Sequence, residues 1–191
     1  MELTNLIEGC VGNNEKCQKV FYEKYLGFVL KIVYRYVSSY ESANEVSNDA
    51  FIKIFKSFVK FDYKNATNPE MLMMAWMRRI IVNTAIDYLR VSQAQKRYQP
   101  LAELNENHTE KVVVNSDEKV LYKELIELVK KLSPSYKAVF NMYVIDGYTH
   151  QEISKALGIS VGTSKSNLAR ARAILQNCLV KDNKDNVLCF T

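Results

Sequence analysis

Helix breakers are scarce in this chain. Six glycines and three prolines are spread through 191 residues, and the apolar residues between them recur at intervals of three and four. Few breakers together with long runs of helical period leave little room for any fold but an all-helical one. Val20-Phe21, Tyr25, Phe28-Val29, Ile32-Val33 and Tyr36-Val37 share one such period, as do Val46, Ala50-Phe51, Ile54-Phe55 and Phe58. Ser42, with Glu45 three residues on, has capping-box spacing at the start of the second run. Trp76, Ile80, Thr84 and Tyr88 mark a third helix, broadened by Met77, Ile81 and Ile86. Trp76, beside Met77 and Ile80, reads as core. Between the second and third runs, Phe61 to Pro69 is polar, tipped with aromatics and closed by a proline, which reads as a loop.

From Ser92 to about residue 116 the period disappears among Gln93, Gln95, Gln99, Pro100, Asn105 and Asn107. Such a stretch is too polar to pack a core and reads as a flexible linker. The period resumes with Val120-Leu121, Leu125, Leu128-Val129 and Leu132. Ser133-Pro134 then supplies a cap and a first-turn proline ahead of Tyr136, Val139-Phe140 and Tyr143-Val144. The expected organisation is therefore two small helical domains, 1–91 and 117–180, joined by a flexible linker at 92–116 and followed by a tail at 181–191. Charge follows this division. Lys and Arg outnumber Asp and Glu by 11 to 6 over 119–191, against 12 to 10 over 1–90 and 3 to 5 over 91–118. The cationic excess of the second module points to a polyanionic partner.

Other classes are disfavoured. No apolar run approaches the ~18 residues of a membrane span, and the first residues lack the basic-then-apolar order of a secretory signal. The expectation is a cytoplasmic chain without stable membrane insertion. Cys10, Cys17, Cys178 and Cys189 form no C-x-x-C pair, and His108 and His150 stand apart from them, so no metal site is expected. No Gly-rich phosphate loop or nucleophile–base pairing is visible, so neither a cofactor nor a catalytic residue is expected.

The sharpest local signal lies between Tyr148 and Leu175. Thr149 has Glu152 three residues later, Ile153, Ala156 and Leu157 give a short helix one apolar face, and Gly158 suits a left-handed helix end. Ser160 can cap a further helix, whose first turns (Gly162, Thr163, Ser164, Lys165, Ser166) are small and polar. Two short helices around a tight glycine turn form a helix-turn-helix, whose second helix enters a DNA major groove N-terminus first. Bulky apolar side chains there would hold the backbone away from phosphates and base edges. On a helical wheel Ser164, Leu168, Ala171 and Leu175 share the packing face. Gly162, Thr163, Ser166 and Arg170 point outward, with Lys165 and Arg172 on the flanks.

Three segments together resemble the extracytoplasmic-function (ECF) sigma factors of bacterial RNA polymerase: "YTHQEISKALGISVGTSKSNLARAR" (Tyr148 to Arg172), "AWMRRIIVNTAIDYLR" (Ala75 to Arg90) and, more loosely, "ESANEVSNDAFIKIF" (Glu41 to Phe55). The resemblance implies a non-enzymatic specificity subunit with core RNA polymerase, promoter DNA and an anti-sigma factor as partners. It implies −35 element contacts from Ser160, Gly162, Thr163, Lys165, Ser166, Arg170 and Arg172. It implies −10 element contacts from Tyr63, Lys64, Asn65 and Asn68 in the loop and Arg78, Arg79 and Asn83 on the third helix. A melted strand needs aromatic platforms and cations, and a flipped base needs hydrogen-bonding groups. Polymerase docking falls to Glu45, Asn48, Asp49 and Ile52, acids around one exposed apolar residue. Two departures stand out. Ser164 replaces an apolar core residue, its hydroxyl expected to bond back to the Ser160 carbonyl, and Asn167 replaces a frequent Arg, removing a phosphate contact. Two other readings compete: a helix-turn-helix regulator acting without polymerase, and a helical enzyme or adaptor whose corner serves only packing.

Overall fold

A computed structural model describes residues 2–37, 39–63, 66–98 and 125–187. Every regular element among these residues is helical, and the chain divides into two compact units, Met1–Glu106 and Asn107–Thr191. The unit boundary falls within the expected linker. Residues 99–124, most of that linker, lie outside the described residues, as do Lys64 and Asn65.

The first unit contains α1 (Leu3–Val11), α2 (Glu15–Val33), α3 (Tyr40–Ser57) with a 3-10 turn at Phe58–Lys60, and α4 (Pro69–Tyr98). Its core takes Leu6, Ile7 and Cys10 from α1, Phe21, Tyr25 and Val29 from α2, Val46, Ala50 and Ile54 from α3, and Met73, Met77 and Ile81 from α4. α1 was not foreseen. It lies against α2 so closely that a Cβ on Gly9 would sit 2.3 Å from Cys17 Sγ, so glycine is required there. Burial, with Cys17 nearby, raises the Cys10 thiol to a pKa of about 11 and leaves it an inert core residue at neutral pH.

The start of α3 is corrected by one turn. Ser39, not Ser42, is the cap, its hydroxyl accepting the Ser42 N–H at 3.1 Å. The Ser42 hydroxyl is engaged elsewhere, accepting from Tyr88 OH of α4 at 2.6 Å. The apolar face of α4 is also turned from the expected one. Met73, Met77, Ile81, Thr84 and Ala85 are buried, whereas Trp76, Ile80 and Tyr88 are half-buried. The reason is that α4 packs on both α2 and α3, which centres its buried stripe between them. Buried Thr84 donates its hydroxyl to the Ile80 carbonyl at 2.8 Å, so its polarity is satisfied within the helix. α4 also runs to Tyr98, past the expected module end at 91.

The second unit contains helical residues 125–130 (α5), α6 (Pro134–Phe140), a π turn at Asn141–Ile145, α7 (His150–Leu157) and α8 (Val161–Val187). Pro134 opens α6 as expected, but the Ser133 side chain makes no cap bond. The π turn was not foreseen. One extra residue per turn brings Met142 inward and leaves Val144 exposed, so the Tyr143-Val144 pair does not continue the buried face of α6. α8 runs through Val187, beyond the expected module end at 180. Among the described residues no helix is long and apolar enough to cross a membrane, and no group of His, Cys, Asp and Glu is placed to hold a metal ion.

Candidate nucleic-acid interface

The corner between α7 and α8 is built from short-range bonds. Thr149 Oγ1 accepts the Glu152 N–H at 3.2 Å, and Glu152 Oε2 accepts the Thr149 N–H at 2.9 Å, a reciprocal capping box. Gly158 ends α7 in the left-handed region, at φ +65°, where a Cβ would be strained. Ser154 ties the turn down by donating its hydroxyl to the Ile159 carbonyl at 2.6 Å. Ser160 caps α8, its Oγ accepting the Thr163 N–H at 2.9 Å.

α8 then divides into two faces. Ser164, Asn167, Leu168, Ala171 and Leu175 are buried, and Ile153 of α7 is buried with them. Ser160, Gly162, Thr163, Lys165, Ser166, Arg170 and Arg172 are all exposed. The outer face is therefore small at its start and cationic further on. Its polar groups are partly pre-set: Ser166 Oγ donates to the Thr163 carbonyl at 3.0 Å, Arg170 Nη1 lies 3.5 Å from Tyr136 OH, and the Arg172 guanidinium sits 5.9 Å from the Tyr143 ring centroid. Tyr136 and Tyr143, which steady these arginines, carried no distinguishing signal in the sequence.

Two packing-face residues behave differently from expectation. Ser164 is 0% exposed, and its hydroxyl lies 2.9 Å from His150 Nδ1 of α7. The Ser160 carbonyl instead takes the Ser164 backbone N–H at 2.9 Å, the ordinary helical bond. Asn167, at 8% exposure, is turned into the unit and away from the cationic face.

In the first unit, the loop before α4 carries an aromatic ladder. Trp76 stacks on Phe61 with centroids 4.7 Å apart and planes at 28°. Phe61 stacks in turn on Tyr63 at 5.8 Å and 22°. Behind them Phe58 packs against Trp76 at 5.2 Å and Phe21 at 5.1 Å. Trp76 is thus half-buried and one rung of a stack that leads from core to loop, rather than a core residue. Burial, with Glu8 of α1 nearby, raises the Tyr63 phenol above its ordinary pKa. Asn68 is exposed, but its Oδ1 accepts the Met71 N–H at 3.0 Å and so caps α4. Arg78 is half-buried with its guanidinium 6.0 Å from the Phe28 ring centroid, while Arg79 and Asn83 are exposed. Asp87 tethers basic neighbours, Lys53 at 3.4 Å and Arg90 at 3.8 Å.

The outer face of α3 presents Glu45, Asn48, Asp49 and Ile52, all exposed, with Ile52 at 51%. Asn48 is steadied from α2, its Oδ1 accepting from Tyr22 OH at 3.1 Å.

A capped helix-turn-helix with a cationic second helix, carried in one chain with a helical unit that raises an aromatic stack to its surface, defines a two-module, all-helical DNA-binding class. Residues 21–95 match the family Sigma-70 region 2, and residues 122–175 match Sigma-70, region 4. The chain is 27% identical over 184 residues to the ECF RNA polymerase sigma-E factor of Escherichia coli (strain K12), covering 90% of this chain and 91% of that protein. The ECF RNA polymerase sigma-E factor of Haemophilus influenzae is equally similar, at 27% over 184 residues, covering 90% and 92%. Among solved structures, the sigma factor RpoE from Bartonella quintana, bound there to the anti-sigma factor NepR, shares the fold. Its TM-score is 0.53 at 18% identity, covering 84% of this chain and 97% of that one. The chain belongs to the sigma-70 family, as an ECF sigma factor.

Proposed function

We propose a division of labour for this sigma factor in which α8 reads the −35 duplex, the Tyr63 loop and α4 take the melted −10 strand, and α3 docks on core RNA polymerase. The observation that carries this reading is the outer face of α8. All seven residues expected to meet duplex DNA are exposed there, beyond a capped turn that brings the helix N-terminus forward. Small side chains let the backbone approach phosphates, and the lysine and arginines supply charge-assisted donors. On α4, exposed Arg79 and Asn83 and half-buried Arg78 contribute cations and an amide, and Tyr63 contributes a π face anchored through Phe61 and Trp76. Lys64, Asn65 and Asn68 complete the proposed −10 set, with Asn68 acting also as the α4 cap. Exposed Ile52 among Glu45, Asn48 and Asp49 suits a basic partner helix with an apolar stripe.

The chain supplies specificity only; bond-making stays with the polymerase, in the cytoplasm. An anti-sigma factor is proposed as a further partner, for which exposed Ile52, the aromatic loop at Tyr63 and the cationic helix face at Arg170 offer apolar and cationic surface. The reading is tested by transcription from a defined set of promoters with core polymerase, with and without the chain. Promoter-specific transcripts that require the chain are expected. Duplex binding with no transcript under any promoter would instead fit the regulator reading.

A further inference from the structure

A polar contact that an ordinary apolar corner does not need joins the two helices of the corner. His150 opens α7 directly after the Thr149 cap, and Ser164 lies one turn into α8. Their side chains meet at 2.9 Å, with Ser164 fully buried. The imidazole is itself held in place, stacked on Tyr143 of the π turn at 4.4 Å and 23°. The Arg172 guanidinium stands 5.9 Å from the same tyrosine ring. The contacts Ser164–His150–Tyr143–Arg172 thus leave α8, pass through two other elements and return to α8 two turns later.

We propose that His150 and Ser164 are positioning residues for −35 recognition, fixing the rotation of α8 about its own axis. The proposal rests on α8 being the duplex-reading helix. Apolar packing from Ile153, Leu168 and Ala171 attracts without direction, so it tolerates a small turn of the helix. A hydrogen bond weakens steeply once it is bent, so this one sets an angle. Ser164 lies between Thr163 and Lys165, both exposed, and any rotation of Ser164 swings these two side chains relative to the groove.

The test separates positioning from simple satisfaction of a buried hydroxyl. Holoenzyme reconstituted from core polymerase and the full-length chain selects from a pool of duplexes randomised over the upstream element. The selected duplexes are sequenced, and the Tm of each free variant is measured alongside. Ser164→Ala and His150→Phe each remove the bond, the latter keeping a ring on Tyr143. Each is expected to lower Tm and to reduce enrichment of the preferred sequence about tenfold, the factor that ~1.4 kcal/mol represents. Combining them replaces both partners with apolar groups, which restores stability because no polar group is left unpaired. Enrichment stays low in the double variant if the bond sets the angle. Recovery of enrichment together with Tm, or unchanged enrichment in the single variants, would overturn the proposal. If Ser164→Ala does not fold, His150→Phe alone, at a half-buried position, is read the same way. A wild-type chain that enriches no upstream sequence would refute the reading of α8 itself, which keeps the two failures distinct.

Discussion

In the first unit, the aromatic surface is continuous with the core. Phe58 meets Phe21, Phe55, Phe61 and Trp76 ring to ring, and Tyr63 is the outermost ring of the same cluster. In the second unit, α8 has no aromatic residue from Val161 to Cys178, and its outer face opens with Gly162, Thr163 and Ser166. On the proposed division of labour, the contrast follows from the two forms of DNA. An unpaired base offers a π face, so its receptor needs rings held rigid from behind. A duplex groove offers edges and phosphates, so its reader needs a close backbone and donors. One surface is therefore tied to the stability of its unit, and the other is largely free of it.

The largest expected effect breaks the first surface through its core. Phe58→Ala should cost about 3–5 kcal/mol of stability in urea unfolding and weaken binding to a single-stranded −10 probe, while upstream duplex binding by the folded fraction persists. Equal loss on both probes would show that the two units do not function separately. Tyr63→Ala sharpens the same point. It should cost about 1–3 kcal/mol on the single strand with little change in Tm, whereas Trp76→Ala should lower both.

On the other side, Lys165→Ala, Ser166→Ala and Arg170→Ala should leave Tm nearly unchanged and weaken duplex binding. A base-reading contact is worth about 1–3 kcal/mol, and loss of a phosphate contact reduces the salt slope by about one. No change in affinity or slope in all three would exclude this face. Glu45→Lys with Asp49→Lys should reduce co-purification with core polymerase and leave the circular dichroism spectrum intact, since both side chains are exposed.

The smallest effect concerns Glu70 at the start of α4, which accepts from Lys24 Nζ at 3.0 Å and Tyr25 OH at 2.9 Å. These bonds hold its carboxyl below its ordinary pKa. A lowered carboxylate stabilises the fold above the unfolded-state value and loses that contribution as pH falls through its own lower value. Glu70→Gln should flatten the acid limb of the stability curve slightly, because an exposed pair is well screened. A steeper acid limb would reverse the assigned sign.

The sequence announced the corner of the second unit because its signals are local. A threonine with a glutamate three residues on, and a glycine ending a short apolar face, each act within one turn of chain. The misses are non-local or too brief to show a period. α1 offers only Leu6, Ile7 and Cys10 to the core. On paper Ser42, with Glu45 three residues on, is the better cap, but Tyr88, 46 residues from Ser42, draws Ser42 into another bond. The π turn shifts the period by one residue within a helix that otherwise reads as regular. The His150–Ser164 contact spans 14 residues, beyond the reach of any helical wheel, and it displaced the expected bond to the Ser160 carbonyl. Of the site residues, the outer face of α8 was legible because burial alone sorts it. The ladder was not, because Phe61 reads as loop and Trp76 as core.

The measurement that bears most directly on the division of labour compares Tyr63→Ala and Arg170→Ala in reconstituted holoenzyme on two probes. One carries the upstream element as duplex only, and the other carries the downstream element already opened into single strands. Tyr63→Ala is expected to lose affinity on the opened probe alone and Arg170→Ala on the duplex probe alone. Equal losses by both variants on both probes would contradict that division.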